Sequence, residues 1–392
     1  MWKIVISVIP MFVCLFWCIV LFIEHRTQNK AKTFLSFFMF IAFLLYLGHA
    51  AYFNKEYKFY GFWDSIYLFC SLAVYPLYFI YLKIITKKTN LNFKDFLVLL
   101  PAFSIGVFSF ILYFMMTPEE LTVYTQQIIY HNFNNIEWTP ILHLQQIKLY
   151  LFTIIFVAQI IPILIYGSKY IKEYNQAIMN YYADTEKKTL DHFNFLLIVF
   201  ILTSLASSTV DLIGRSYFTQ SNIHLLIPAI IFGCLLFMVG YLGYKQDFSI
   251  ENFLKDIKNN EALASTIKIS INDTELYGKN LFENLKKLLE ENEIYKNKDL
   301  CITDIAMMLN TNRTYISKIM NEKFKTNFST MINHYRIEHA KKILKDSKYR
   351  QLSINEIGEL SGFSSESSFY RIFKNHENIS PGNYRKKHLI NH

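Results

Sequence analysis

Gly362-Phe363-Ser364-Ser365-Glu366-Ser367-Ser368-Phe369-Tyr370-Arg371-Ile372-Phe373-Lys374 is the stretch that decides how this chain reads. A short helical pattern, Ser353 to Leu360, precedes it, and Ser361 with Gly362 makes a tight corner. A second helical pattern follows from about Ser365 to His376. Helix, glycine-containing turn, helix is the layout of a helix-turn-helix. On the second helix Phe369, Ile372 and Phe373 share one face and are spaced to pack inward. Glu366, Ser367, Tyr370 and Arg371 share the other face and are free to meet base edges and phosphates. An ordinary helical hairpin would show the same apolar spacing, so one copy alone decides little.

The pattern occurs twice. Upstream, Ile302 to Leu309 is a support helix with the apolar stripe Ile302, Ile305, Ala306 and Leu309. Asn310-Thr311-Asn312 makes the turn, with Asn312 as N-cap. A reading helix then runs from about Arg313 to Phe324, with Ile316, Ile319 and Met320 inward and Arg313, Thr314, Ser317 and Lys318 outward. Arginine holds guanine bidentately, lysine holds guanine or phosphate, and serine or threonine fills either role. A long helix, Phe328 to Lys345, joins the two copies through Phe328, Met331, Ile332, Tyr335, Ala340, Ile343 and Leu344.

From about Leu281 to Lys387 the chain resembles the DNA-binding domain of the AraC/XylS family of bacterial transcription regulators. The resemblance rests on Ile302 to Ala306, Tyr315-Ile316-Ser317, Phe328 to Ala340, Ser353 to Ile357, Gly362-Phe363, Phe369 to Lys374, Ser380-Pro381 and Tyr384-Arg385. It implies two reading helices held by the linker helix in successive major grooves, about 34 Å apart. The outward faces of the two reading helices make Arg313, Thr314, Ser317, Lys318, Glu366, Ser367, Tyr370 and Arg371 the candidate DNA contacts. Arg336 matches the family's Tyr-Arg-x-x-x-Ala arginine and is assigned to packing and ion pairing. Three asparagines depart from the pattern: Asn310 in the first turn, and Asn327 and Asn378 where glycine usually follows each reading helix. Asparagine tolerates the left-handed conformation that glycine favours, so these caps are expected to survive. Gly358 replaces an alanine, at about 1 kcal/mol of helix propensity. Glu366 repels phosphate but accepts from cytosine. Tyr384-Arg385-Lys386-Lys387 is placed to touch the DNA backbone.

Composition divides the chain. Of its 392 residues 52% are hydrophobic and 18% charged, against about 25% charged in a soluble domain. From Lys296 onward there are 17 Lys or Arg against 9 Asp or Glu, net +8, while the whole chain is +9. The excess positive charge therefore sits at the end that would face phosphate. Cys14, Cys18, Cys70, Cys234 and Cys301 show no CxxC or Cys/His spacing, so no metal site or disulfide framework is expected. No paired carboxylates or His cluster suggest catalysis; the expectation is no enzyme, no cofactor and no metal.

Seven apolar runs approach the roughly 20 residues that cross a bilayer: Ile4–Ile23, Phe34–Phe53, Phe62–Leu82, Phe96–Met116, Ile147–Gly167, Phe193–Ile213 and Ile223–Gly243. The first has no small-x-small cleavage site before Glu24-His25-Arg26 and reads as a retained helix rather than a signal peptide. Alternate loops are basic: Arg26, Lys30 and Lys32 in the first, Lys83, Lys87, Lys88 and Lys94 in the third, Lys169, Lys172, Lys187 and Lys188 in the fifth. That alternation puts the N-terminus outside and the C-terminus in the cytoplasm of a bacterial inner membrane, the side on which a reader of chromosomal DNA must lie. The longest outer loop, Thr117 to Gln146, carries Glu119, Glu120, Glu137, His131 and His143 and no Lys or Arg. Polar residues also gather at outer span ends. His49, Asp64, Glu137, Asp211, Arg215 and His224 are the candidate ligand-sensing residues, although Asp211 and Arg215, at i and i+4, also suit a simple ion pair. Prolines 10, 76, 101, 162 and 228 fall inside spans and suggest packing bends.

The expected fold is all-α: a seven-helix transmembrane domain over residues 1–243, a cytoplasmic linker over 244–272, and a double helix-turn-helix domain over 273–392. A helix from Asp273 or Thr274 to about Glu291, with Leu281, Leu285, Leu288 and Leu289, serves that domain as scaffold. The expected function is a membrane-bound one-component transcription regulator. Its partners would be promoter double-stranded DNA, the lipid bilayer, an unknown extracytoplasmic or membrane ligand, RNA polymerase and a second copy as homodimer. The alternative is a membrane transporter or enzyme with an autoregulatory DNA-binding tail.

Overall fold

The structure, a computed structural model, describes residues 2–24, 30–87, 91–129, 133, 136–213, 222–264 and 274–389. Among these the regular structure is helical, with one isolated antiparallel bridge between Tyr182 and Cys301. The chain divides into two compact units, residues 1–172 with 190–250, and residues 173–189 with 251–392.

The first unit is built of apolar helices. They are α1 (Trp2–Ile23), α2 (Lys30–Phe53), α3 (Tyr57–Thr86), α4 (Phe93–Met115), α6 (Pro140–Met179, up to residue 172), α7 (Asp191–Ile213) and α8 (Asn222–Lys245), with the short α5 (Pro118–Val123) between α4 and α6. Among the described residues six helices are long and apolar enough to cross a membrane. The remaining expected run, Phe193–Ile213, coincides with α7, whose apolar part counts only to Leu202 among the described residues. α3 is the most enclosed, α1 and α8 pack together, and α2 lies between α1 and α3. Exposed Phe12, Phe22, Phe62, Phe110, Phe114 and Ile154 show an outer surface as apolar as a core, which water does not tolerate and lipid does.

Two expectations about this unit change. Pro101 does not bend a span: it stands in the first turn of Leu100–Met115, after a 3-10 turn at Leu97–Leu99, where its missing N–H is no loss. The stretch Thr117 to Gln146 is not all loop. Thr117 opens α5 with a capping box, accepting from Glu120 N–H while Glu120 accepts from Thr117 N–H at 2.9 Å, and α6 already begins at Pro140.

The second unit holds α9 (Ile250–Ala264), α10 (Thr274–Glu290), α11 (Ile302–Met308), α12 (Arg313–Ile319), α13 (Phe328–Lys345), α14 (Ile354–Leu360), α15 (Glu366–Glu377) and α16 (Pro381–Leu389). α9 occupies much of the stretch read as linker; Asp273 lies outside the described residues. α10 is the scaffold helix, burying Leu281, Leu285 and Leu289 and packing on α12. α13 is the spine. Its Ile337, Ala340, Ile343 and Leu344 join Ile357, Phe363, Phe369, Phe373 and Tyr384 in the core of the second helix-turn-helix.

Candidate nucleic-acid interface

Each reading helix is started by a side chain the sequence marks. Asn312 Oδ1 accepts from the backbone N–H of Thr314 at 3.0 Å and of Tyr315 at 3.2 Å, fixing the first turn of α12. Ser365 Oγ accepts from Ser368 N–H at 3.1 Å and does the same for α15. Ser353 and Glu356 form a reciprocal capping box on the support helix α14, at 3.2 and 2.7 Å. These contacts satisfy N–H groups that a helix start leaves without partners. They therefore set where each helix begins and which residues face out.

The inward residues are those expected. Ile316, Ile319 and Met320 are buried on the first reading helix, which continues through a wider turn at Met320–Phe324. Phe369 and Phe373 are 0% exposed on the second, with Ile372 partly buried beside them. The outward residues divide by helix. Thr314 and Lys318 are exposed on α12, with Arg313 and Ser317 half-buried. Glu366, Ser367, Tyr370 and Arg371 are all exposed on α15. Lys318 lies 3.9 Å from Glu322 one turn on, a surface pair worth little and easily exchanged for phosphate.

The turns show which asparagines replace glycine. Asn310 (φ 50°) and Asn378 (φ 60°) are left-handed, as expected. Asn327 is not. Lys325 (φ 52°) takes the left-handed position, and Asn327, in extended conformation, caps α13 by accepting from Thr330 N–H at 2.9 Å. A short polar side chain suits either role, so its spacing alone does not separate them. Gly362 has φ 91°, and a Cβ there would stand 2.6 Å from the Tyr295 carbonyl oxygen; both conformation and space demand glycine.

Two further assignments change. Arg336, 1% exposed, makes no ion pair with a carboxylate among the described residues. Its Nε and Nη2 donate to the carbonyls of Tyr295 and Asn297, each at 2.8 Å. Burial pulls the guanidinium down to about 10, against the field of Asp184 and Asp299, and leaves it charged at neutral pH. Tyr384 does not reach outward: it is 5% exposed and packs edge-on against Phe373, leaving Lys386 and Lys387 as the exposed bases of α16.

A cluster absent from the sequence reading joins α13 to α15. Glu338, His376 and Glu377 bring ligand atoms within 4.8 Å of one another. Lys341 Nζ already donates to Glu338 at 2.7 Å and to Glu377 at 3.0 Å, so an ammonium stands where a cation would. Spacing in the sequence gave no hint of it, because the residues meet only through helix packing.

In the first unit the structure brings together some of the candidate sensing residues and not others. Asp64 is 2% exposed and Lys148 0%, and Lys148 Nζ donates to Asp64 Oδ2 at 3.1 Å. The Tyr124 hydroxyl donates to the same oxygen at 3.1 Å, and Lys148 also reaches Tyr124 Oη at 2.8 Å and Ser109 Oγ at 3.2 Å. Beside this pair lies a cavity of about 380 Å³ lined by Asp64, Tyr60, Tyr67, Gln146, Tyr150 and Thr153 among apolar groups. His49 stands against its wall, 3.4 Å from Tyr67 Oη. Glu137 is exposed elsewhere, and His224 is half-buried at the start of α8. Arg215 and His131 lie outside the described residues, and the Asp211 side chain is likewise not described. Lys148 is a residue of this cluster that was not among the candidate ligand-sensing residues. A cation beside an apolar run, with an aspartate in another run, was the signal.

Residues 305–387 match the family described as a helix-turn-helix domain, of the AraC type, so the second unit carries an AraC-type helix-turn-helix domain. A Bacillus subtilis protein named as an uncharacterized HTH-type transcriptional regulator, YtdP, is 28% identical over 148 residues, 37% of this chain and 18% of its own. A Staphylococcus aureus protein named as an uncharacterized HTH-type transcriptional regulator is 32% identical over 93 residues, 24% of this chain and 12% of its own. The chain thus spans less than a fifth of the length of these curated relatives.

Proposed function

We propose that this chain is a membrane-held transcription regulator. Its C-terminal unit binds promoter DNA through two reading helices, and its apolar unit holds it in a bacterial cytoplasmic membrane, N-terminus outside and DNA-binding unit inside. The observation that carries this reading is the pair of reading faces, one on α12 and one on α15. Both are capped, backed by a shared helix and free of buried side chains among their eight outward residues. Arg313, Thr314, Ser317 and Lys318 serve one half-site, and Glu366, Ser367, Tyr370 and Arg371 the other. RNA polymerase and a second copy of the chain are its further partners.

The stimulus enters through the apolar unit, at the cavity beside Asp64. A ligand there shifts the protein only if it prefers one of two states. The buried Asp64–Lys148 pair also suits a transporter, the rival reading, because intramembrane charges mark ion and substrate paths.

Genome-wide DNA crosslinking of the full-length protein in its own cells tests the proposal, with a Lys318→Ala, Arg371→Ala double variant as control. Discrete peaks that vanish in the variant are expected. An absence of variant-sensitive peaks, with the protein confirmed in the membrane, would sink the regulator and leave the apolar unit as the seat of function.

A further inference from the structure

The segment between α6 and α7 is not an idle connection. Residues 173–189 fold into the same compact unit as the helix-turn-helix domain. Ile302 N–H donates to Tyr181 O at 2.9 Å, Ala183 N–H to Leu300 O at 3.0 Å, and Ser329 Oγ to Ala183 O at 2.9 Å. The Tyr181 hydroxyl stands 3.3 Å from Thr303 Oγ1. Tyr181, Tyr182 and Ala183 are buried by these contacts. They pin the segment to the start of the first support helix and to the spine α13.

From that anchor the segment reaches the second reading helix. Ser364 Oγ donates to Asp184 Oδ2, Ser365 Oγ to Glu186 Oε2, and Ser367 Oγ to Glu186 Oε1 at 2.6 Å. Ser365 is the N-cap of α15 and Ser367 lies in its first turn. The basic neighbour Lys188 follows on the same segment. Its ammonium turns back to the carbonyl of Asp184 at 3.3 Å and lies over the Tyr182 ring. Two carboxylates therefore rest on the hydroxyls that open a reading helix. Anions are favoured at a helix N-terminus by its free N–H groups and partial positive charge. Serine hydroxyls and helix N-termini are also among the groups that hold DNA phosphates.

We propose that the segment 180–189 is an intramolecular occupant of the DNA-binding surface, with Asp184 and Glu186 standing where backbone phosphates of duplex DNA would stand. DNA and this segment then compete for the start of α15, and the structure is the DNA-free, occluded state. This rests on the DNA-binding reading above and adds its regulation. The segment is tied covalently to the apolar helix α6 at one end and to α7 at the other. A stimulus that favours an arrangement of those helices in which the segment leaves α15 would raise DNA affinity without touching DNA.

The test uses the full-length protein in lipid nanodiscs and a generic DNA duplex at fixed salt. Asp184→Asn with Glu186→Gln keeps the side-chain shapes and removes both charges. DNA affinity should rise, about 5- to 150-fold for a coupling of ordinary size. The charge control is Glu290→Gln with Glu291→Gln, at the end of α10, which should move affinity much less. Independently, Asp184→Cys with Ser364→Cys, in a background with Cys18 and Cys234 replaced by serine, should be joined by a short thiol-reactive cross-linker. The joined protein should lose DNA binding, and excess duplex should slow the joining. Equal affinity of wild type and the Asp184/Glu186 variant would overturn the proposal while leaving the DNA reader intact. So would an equal gain in the control, or full DNA binding by the cross-linked protein. No binding of any duplex by wild type or variant would overturn the parent reading and the occlusion with it.

Discussion

Gly358 on the second support helix lies under the ring of Phe369 on the second reading helix, so close that a Cβ on residue 358 would stand 2.8 Å from Phe369 Cδ1 and 3.0 Å from Cγ. Glycine inside a helix costs about 1 kcal/mol against alanine, and here the cost admits an aromatic ring that is 0% exposed. Gly358→Ala should therefore destabilise, by about 1–3 kcal/mol for an overpacked core, where helix propensity alone predicts the opposite sign. Gly362→Ala should cost more, because it adds a left-handed φ to a clash with backbone. Denaturant unfolding of the full-length protein, followed through the second unit, checks both; a more stable Gly358→Ala would refute the packing account.

Arg336 is a structural arginine. Replacing it with methionine removes the charge and leaves the carbonyls of Tyr295 and Asn297 without their donor. A loss of about 2–4 kcal/mol is expected from two unsatisfied buried groups. DNA affinity measured on the folded fraction should not change its salt dependence, which separates this arginine from those on the reading faces.

Lys318→Ala should weaken binding to every duplex and lower the slope of log affinity against log salt by about 0.9, the value of one neutralised phosphate. An unchanged slope would mean that the ammonium meets no phosphate.

The knot between α13 and α15 predicts a pH dependence. Burial pushes the Glu377 carboxyl up, but hydrogen bonds from Lys341 and His376 outweigh it and hold the group below its usual value of 4.5. A carboxylate whose folded value is depressed adds stability that is present above its unfolded value and is lost as pH falls through the folded one. Stability of the second unit should thus decline below about pH 4.5, and Lys341→Met should flatten that part of the profile. An identical profile in the variant would show that the ammonium does not hold the carboxylate.

Asp64→Asn strands a buried ammonium. Lys148 would lose its only carboxylate partner among the described residues, at a cost of about 3–5 kcal/mol for a broken buried pair. Lys148→Met added to it should recover much of that loss. Thermal unfolding of the nanodisc-held protein reads both steps. Recovery would class the pair as structural, whereas a double variant that is stable yet deaf to every stimulus would place it in sensing.

How the sequence performed depends on the range of the interaction. Capping is local, so Asn312 was legible from spacing alone, and the bounds of α13 were read to the residue. Periodicity is local too, and it sorted Phe369 and Phe373 inward from Tyr370 and Arg371 outward. Tyr384 escaped because a tyrosine beside three bases has the pattern of a surface, and only the position of Phe373 shows that its ring is covered. Asn327 escaped because an asparagine suits a left-handed cap and an N-cap equally.

The sequence by itself determined the class of this protein: helices long and apolar enough to cross a membrane, followed by a doubled helix-turn-helix with net positive charge. These follow from composition and from periods of a few residues. The tertiary structure alone decided which distant groups meet. Asp64 finds Lys148 across 84 positions, and Glu186 finds Ser367 across 181. Such pairs cost chain entropy to close and leave no periodic trace. Their partners are chosen by packing of the helices that carry them, not by the residues between.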